Sequence, residues 1–241
     1  MFKKTDKGFI SKYQPVINTT DAVIFTLPPP EMAAEPVVIV YRRTDPDAPY
    51  FDRWALPGGM IHTDSDANDR AACERIVREK LGMPPVYMEQ LQTFSGANRD
   101  PRGWSSSVVY FTLLPWEELS DWWATKPNAQ LVPLSTSRKN LISLAFDHEE
   151  ILRVAIERIQ AKAHYSTLPC MLLPKHFTIA QMHGMYEALQ GREINMAAFR
   201  RKVDKLDFLS QVKGAFEGGA QRPAQMYRMK HREPTLFDRG L

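Results

Sequence analysis

Cysteine is almost absent from this chain: its 241 residues hold two, Cys73 and Cys170, far apart and in unlike contexts. That excludes a disulfide framework or a cysteine-only metal site, and reduced thiols in a cytoplasm are the simplest reading. Long apolar runs are missing as well. Nothing approaches the roughly 20 residues that a membrane helix needs, so no membrane partner is expected. The start, MFKKTDKGF, has basic residues but no apolar run behind them, which argues against a secretory signal. The histidines (His62, His148, His164, His176, His183 and His231) are scattered. No pair has ligand spacing with a third partner, and they read as surface or partly buried side chains. No Ser/His/Asp ordering, phosphate-loop glycine pattern, internal repeat or low-complexity segment stands out.

What remains is a globular composition, 44% hydrophobic and 24% charged, with length for one large domain or, more naturally, two. The net charge of +3 hides an asymmetry. Residues 1–165 carry 19 basic and 21 acidic side chains, whereas residues 166–241 carry 12 and 7. A near-neutral first part joined to a basic last part suggests division of labour, with the last part facing something anionic.

AVIFTL from Asp21 and VVIVYRR from Val37 to Arg43 read as strands rich in β-branched residues, separated by a proline-punctuated loop. After Trp54-Ala55-Leu56-Pro57-Gly58-Gly59 comes a helical stretch from about Ala67 to Leu81. Gly82 stops it, with Pro84 and Pro85 beyond. Strands follow at Val86–Phe94 and Ser105–Leu114, with the polar loop SGANRDPRGW between them. Residues 115–146 are less legible. Asp147 with Glu150 three positions on has the spacing of a capping box. It precedes an amphipathic helix, to about residue 163, with Leu152, Ala155, Ile156, Ile159 and Ala163 on one face. This helix is suited to link two domains, 1–165 and 166–241.

The last part has a compact rhythm. Thr178 caps a helix with Ile179, Met182, Tyr186 and Leu189 on its apolar face, closed by Gly191. A second helix, from Asn195, places Met196, Phe199, Val203 and Leu206 inward. Arg200, Arg201, Lys202 and Lys205 then face outward. Strands near Leu209–Phe216 and Gln225–Lys230 flank a flexible tip that includes Gly218, Gly219 and Arg222. Helix, turn, helix, hairpin is the order of a winged helix-turn-helix, which sets one helix in a major groove while the wing reaches along the backbone. Either Arg200 or Arg201 then addresses guanine edges, and Arg222 a phosphate or the minor groove. The candidate DNA-contacting set is Asn195, Met196, Arg200, Arg201, Lys202, Lys205, Lys213 and Arg222, although a merely solvated basic helix has the same composition.

The stretch from Leu56 to Met83 resembles the Nudix box. That family's pattern is a glycine, five spacers, a glutamate, seven spacers, then R-E-U-x-E-E-x-G-U, with U a bulky aliphatic. Its clustered glutamates hold the divalent ions that stabilise charge during diphosphate hydrolysis. Aligned backward from Gly82, Arg75, Val77, Glu79, Gly82 and Met83 match the pattern. Ile76 and Lys80 stand where the first and last metal glutamates belong, Ala67 replaces the earlier glutamate, and Gly59 is out of register by two. An ammonium at Lys80 repels a divalent ion, so no metal is expected and hydrolysis is lost or very weak. Glu74 with Arg78, and Arg75 with Glu79, also have the spacing of plain surface salt bridges. A fold that keeps the pocket without the acids still binds ligand. The loop Arg99-Asp100-Pro101-Arg102-Gly103-Trp104 offers two arginines suited to phosphate, and either Trp54 or Trp104 offers a ring to stack on adenine.

A degenerate Nudix domain followed by a winged helix resembles the Nudix-related transcriptional regulators of bacterial NAD metabolism, the NrtR family. WALPGG, RDPRG, LLPKHFTIAQMHGMYEALQGR, AFRRK and RPAQMYR carry the resemblance, over about residues 15–230. Departures from the family pattern are Tyr41 to Arg43, the proline-rich loop and the acidic stretch Asp64–Asp69. The resemblance implies an α+β fold, a Nudix-like mixed sheet flanked by helices and then a winged helix-turn-helix. It further implies a homodimeric repressor on double-stranded operator DNA near genes of NAD synthesis, salvage or transport. ADP-ribose or a related nucleotide is its implied effector, with no cofactor required. The candidate effector set is Trp54, Gly58, Gly59, Arg75, Glu79, Arg99, Asp100, Arg102 and Trp104. Two other classes stay open at this point: an active Nudix hydrolase of ADP-ribose-type diphosphates with an accessory C-terminal domain, and a protein-interaction module.

Overall fold

The computed structural model describes residues 2–5, 8–11, 14–29, 31–33, 35–82, 87–125, 128–135, 142–218, 223–231 and 233–237. Strands β1 (Phe2–Thr5) and β2 (Gly8–Ser11) form an antiparallel pair of their own that the sequence reading did not anticipate.

The main sheet has seven strands: β3 (Ile17–Thr26), β4 (Val37–Arg42), β5 (Trp54–Ala55), β6 (Gly58–Met60), β7 (Tyr87–Gly96), β8 (Ser105–Leu113) and β9 (Ala129–Pro133). The order β5-β4-β3-β8-β7 forms its spine, with β6 pairing β3 and β9 pairing β4. β3 and β8 run parallel from Ile17↔Ser105 to Phe25↔Leu113, and the remaining pairings are antiparallel. β3 is central, which is why Thr20 to Thr26 are buried without alternation. It begins four residues before the expected start at Asp21, because its polar first residues are held by the Ser105–Ser107 end of β8.

Successive β3 residues face opposite layers. Ala22 and Ile24 meet Cys73, Val77 and Leu81 of α1 (Asp69–Leu81), with Leu119 and Trp122 of α2 (Trp116–Trp123) beyond them. Asn68 caps α1 by accepting from the Ala71 amide at 2.9 Å, and Gly82, at φ 76°, ends it in the left-handed conformation that glycine adopts without penalty. Val23 and Phe25 face the other layer, α3 (His148–Tyr165), through its buried residues Ile151, Leu152, Ala155, Ile156 and Ile159.

That second layer does not stop at α3. It continues without a break through the 3-10 turn Leu168–Leu172 into Phe177, Met182, Tyr186, Phe199 and Val203. These belong to β10 (Phe177–Thr178), α4 (Ile179–Gln190) and α5 (Met196–Leu206), which β11 (Leu209–Glu217) and β12 (Ala224–Met229) complete as a winged helix with sheet order β10-β12-β11. Thr178 caps α4 in a reciprocal box with Gln181. After the wing the chain returns to α3: the Phe237 amide donates to the Tyr165 carbonyl at 2.7 Å, and the Phe237 ring lies against Phe208.

Several expectations are corrected. The Asp147 side chain makes no cap bond to α3, because Arg99 takes its carboxylate, and Glu150 pairs with Arg153 instead. His148 and His183 are buried rather than at the surface or partly buried, each held by a main-chain partner, the Leu56 amide and the Ile194 carbonyl respectively. Met196 is exposed and not part of the core, whereas Phe199 and Val203 are buried and Leu206 packs against the same cluster from the inner side of α5. The expected Glu74–Arg78 pair is replaced by Arg70–Glu74, while Arg75–Glu79 does form.

Phe199 stacks edge-on against both Tyr186 and His183 at the centre of the winged helix. Truncation to Phe199→Ala is expected to cost about 3–5 kcal/mol. Arg200→Ala, one residue on and exposed, is expected to stay within about 0.5 kcal/mol of wild type. Denaturant titration of the two variants measures both.

Candidate functional site

A recess of about 170 Å³ opens where β6, the 97–104 loop and the start of α3 converge. Gly58 forms its floor. A Cβ at this position would fall 1.8 Å from Asp21 Oδ1 and 3.2 Å from the Thr20 carbonyl oxygen, so any side chain here forces the buried Asp21 carboxylate to shift. Asp21 is buried, accepts from Ser107 Oγ at 2.6 Å and faces His148 Nε2 at 3.6 Å. His148 Nδ1 accepts from the Leu56 amide at 2.9 Å, which assigns the proton of the neutral ring to Nε2. Burial holds the His148 pKa below its ordinary 6.5, and the attraction of Asp21 and Asp147 does not outweigh it.

Three arginines surround this floor. Arg99 makes a two-pronged pair with Asp147, 2.9 Å on each prong, and also reaches Ser105 Oγ. Arg102 makes a second such pair with Asp100, at 3.0 and 2.7 Å. Burial alone would lift the Asp100 carboxyl, but the bonds from Arg102 more than offset it and leave it below the ordinary range. Arg43 lies over the Phe146 ring at 4.9 Å and donates to the Pro49 carbonyl. Burial lowers the Arg43 pKa and the nearby Arg102 cation pushes the same way, against the weaker pull of Asp100, Asp45 and Asp21. Phe146 has φ 56°, a left-handed backbone unusual for a bulky residue, and is braced by Tyr50 at 4.6 Å and His148 at 5.3 Å.

The structure thus brings Gly58, Gly59, Arg99, Asp100 and Arg102 together and leaves four expected residues outside the recess walls. Trp54 packs against the core, and Trp104 is 48% exposed, its carbonyl accepting from the Ile17 amide. Arg75 is turned to Asp66, to the Met60 carbonyl and to Glu79, where it straps the loop after β6; its bonds pull the Asp66 carboxyl down to about 2. Ile76 is buried and faces Gly59, so an apolar side chain fills the first glutamate position of the box. The Lys80 ammonium lies 5.9 Å from the Tyr41 ring, and Lys80 is not among the recess walls. No group of three or more His, Cys, Asp or Glu able to hold a metal ion occurs among the described residues.

On the winged helix, Asn195 accepts from the Ala198 amide at 2.9 Å and fixes the start of α5. Arg200, Arg201, Lys202, Lys205 and Lys213 are exposed as expected. Lys230 is tied to Asp207 at 2.7 Å. Arg222 lies outside the described residues.

The family model of the NrtR DNA-binding winged helix domain matches residues 169–229. The "ADPR responsive transcriptional repressor NtrR" of Acinetobacter baylyi is 31% identical over 229 residues, spanning 93% of this chain and 88% of that protein. This chain belongs to the NrtR family. Shewanella oneidensis NrtR, solved with a 27mer DNA, is 32% identical, with a TM-score of 0.82 over 92% of this chain and 98% of that one. The Nudix domain of the same Shewanella protein, solved with ADP ribose, is 30% identical, with a TM-score of 0.50 over 61% of this chain and 90% of that one. The NrtR architecture, a Nudix-like α+β domain followed by a winged helix, is therefore the fold of this chain.

Within this NrtR chain, sequence reasoning missed Thr19, Asp21, Arg43, Phe146 and His148 as recess walls. Only Arg43 left a trace, in the Tyr-Arg-Arg departure from the family pattern. Asp21 and Thr19 are hidden in a strand, and Phe146 and His148 arrive from a distant segment.

His148 gives the fold a pH dependence. Because its folded pKa is depressed, the unfolded chain takes up this proton first, so stability is lost as pH falls below about 6.5 toward the folded value. Denaturant midpoints measured at neutral pH and at about pH 5.5 are expected to drop for wild type and to drop less for His148→Gln.

Proposed function

We propose that this chain is a DNA-binding transcriptional repressor that releases its operator when ADP-ribose, or a related NAD breakdown product, enters the recess below Arg43, Arg99 and Arg102. Membership of the NrtR family along nearly the whole chain carries this reading. The Acinetobacter relative is named for its response to ADPR, and the Shewanella protein is solved with DNA and, separately, with ADP ribose. We place the effector-binding unit at residues 1–165 and the DNA-binding unit at 166–241. We also assign the chain as a cytoplasmic homodimer whose paired α5 helices meet a pseudo-palindromic site near genes of NAD synthesis, salvage or transport.

The chemistry supports the assignment residue by residue. Arg102 and Arg43 meet diphosphate oxygens, for which planar guanidiniums are well matched. Asp100, released from Arg102 by the diphosphate, accepts from ribose hydroxyls. Arg200 or Arg201 addresses bases, and Lys202, Lys205, Lys213 and Arg222 neutralise phosphates. Hydrolysis is absent or very weak in this reading, because Ile76 and Lys80 occupy two metal-glutamate positions.

Coupling follows from α3. Arg99 holds Asp147, the residue before the first turn of α3. A ligand phosphate competes with Asp147 for that guanidinium and so frees the helix whose far end is packed into the winged helix. The effector acts on DNA only through its preference for the freed arrangement.

Binding of ADP-ribose by calorimetry is expected to weaken about 10- to 100-fold in Arg102→Ala, the loss of one charge-assisted bond. Fluorescence anisotropy on upstream DNA of NAD-related genes, at fixed salt, is expected to show release by ADP-ribose. Asp147→Asn is expected to keep ADP-ribose binding while blunting that release. DNA affinity unmoved by saturating ADP-ribose, or substantial AMP formation with magnesium, would overturn the reading.

A further inference from the structure

The start of α5 carries an apolar side chain in the open. Met196 is the first residue of the helix and 42% exposed, on a turn fixed by the Asn195 cap. Phe216 on β11 is 55% exposed. Both line one recess of about 590 Å³ between α5 and the wing, and Arg200, one turn along from Met196, lines it too. Isolated exposed hydrophobic side chains are ordinary. Two sharing one recess are not, least of all on a strongly basic surface. Arg200 lines the recess, and Arg201, Lys205 and Lys213 lie outside it on α5 and β11; none of the four forms an ion pair among the described residues, so the occupant that suits this face is polyanionic with an apolar edge at the recess.

Double-stranded DNA has that combination at one base. In the major groove thymine alone presents a methyl group, beside a dense row of phosphates. Residues at the N-terminal end of a recognition helix are the ones that meet base edges. Met196 holds that position, with an unbranched, polarizable side chain that adapts to a small apolar target. The geometry points to Met196 as a reader of thymine: its thioether end covers a thymine 5-methyl group while Arg200 addresses the adjoining base or phosphate. This rests on the DNA-binding reading above and adds a base preference to it.

The test uses the full chain and a duplex that it selects from a random pool, resynthesised with deoxyuridine in place of thymine at one position at a time. Deoxyuridine differs there only by the missing methyl group. Wild type is expected to lose roughly fourfold in affinity at one position of each half-site, the effect of uncovering one methyl. Met196→Ala, which loses the contact in both half-sites, is expected to bind the thymine duplex roughly 16-fold more weakly and to bind thymine and deoxyuridine duplexes equally. Met196→Leu, which keeps an apolar tip, is expected to retain the discrimination. Equal binding of thymine and deoxyuridine duplexes by wild type overturns the inference and leaves DNA binding intact. So does a Met196→Ala chain that still discriminates, including one whose dimer mass has changed. Failure to select any duplex overturns the DNA-binding reading itself, and this inference with it.

Discussion

The two-pronged contact between Arg99 and Asp147 is the joint on which the arrangement depends. It joins the 97–104 loop to the residue before the first turn of α3, and both side chains are largely withdrawn from water. A pair in that setting is costly to break from one side, because the abandoned charge keeps its burial without its partner, a loss of about 3–5 kcal/mol. The same geometry makes it exchangeable. A phosphate offers Arg99 the same pair of acceptor oxygens that Asp147 offers. Under the proposed function, the contact resists removal of either partner yet is exchanged for a ligand anion.

What the joint holds reaches far because the buried cluster on the α3 side of the sheet runs unbroken into the winged helix. α3 contributes Ile151 and Ile156 against the sheet and Ala163 toward the winged helix, all within one buried cluster. Tyr186 adds a polar tie by donating to the Ser166 carbonyl at 2.8 Å, directly after α3 ends. Close-packed interiors do not absorb displacement gradually, so a shift at one end of such a helix is passed to the other.

Much of this was legible in the sequence, for identifiable reasons. Thr178, Asn195, Gly82 and Gly191 mark helix ends through local bonds that need no tertiary knowledge. The apolar face Ile179, Met182, Tyr186 and Leu189 follows from period alone, and all four are buried. The reading failed where distant segments compete for the same group. Asp147 looked like a cap because Glu150 follows it at the right spacing, but Arg99, 48 residues away, takes the carboxylate. Met196 fitted the helical period, but it lies at the first turn, where α5 has already run past the core. The recess was half legible: glycines and arginines announce themselves in a loop, whereas Asp21 and His148 matter only once β3 and α3 are brought within 3.6 Å.

The return of the chain after the wing has a practical corollary. Phe237 and Thr235 bond to Tyr165 and Thr167, so the segment that follows the winged helix is stitched to the very residues that precede it. Excising the terminal module between Tyr165 and Ser166 would cut through this seam and strip Ala163 and Ile159 from their neighbours. A fragment intended for isolated work is better begun upstream, at the head of α3, and carried past Phe237, so that the clasp and the greasy side of its supporting helix travel together.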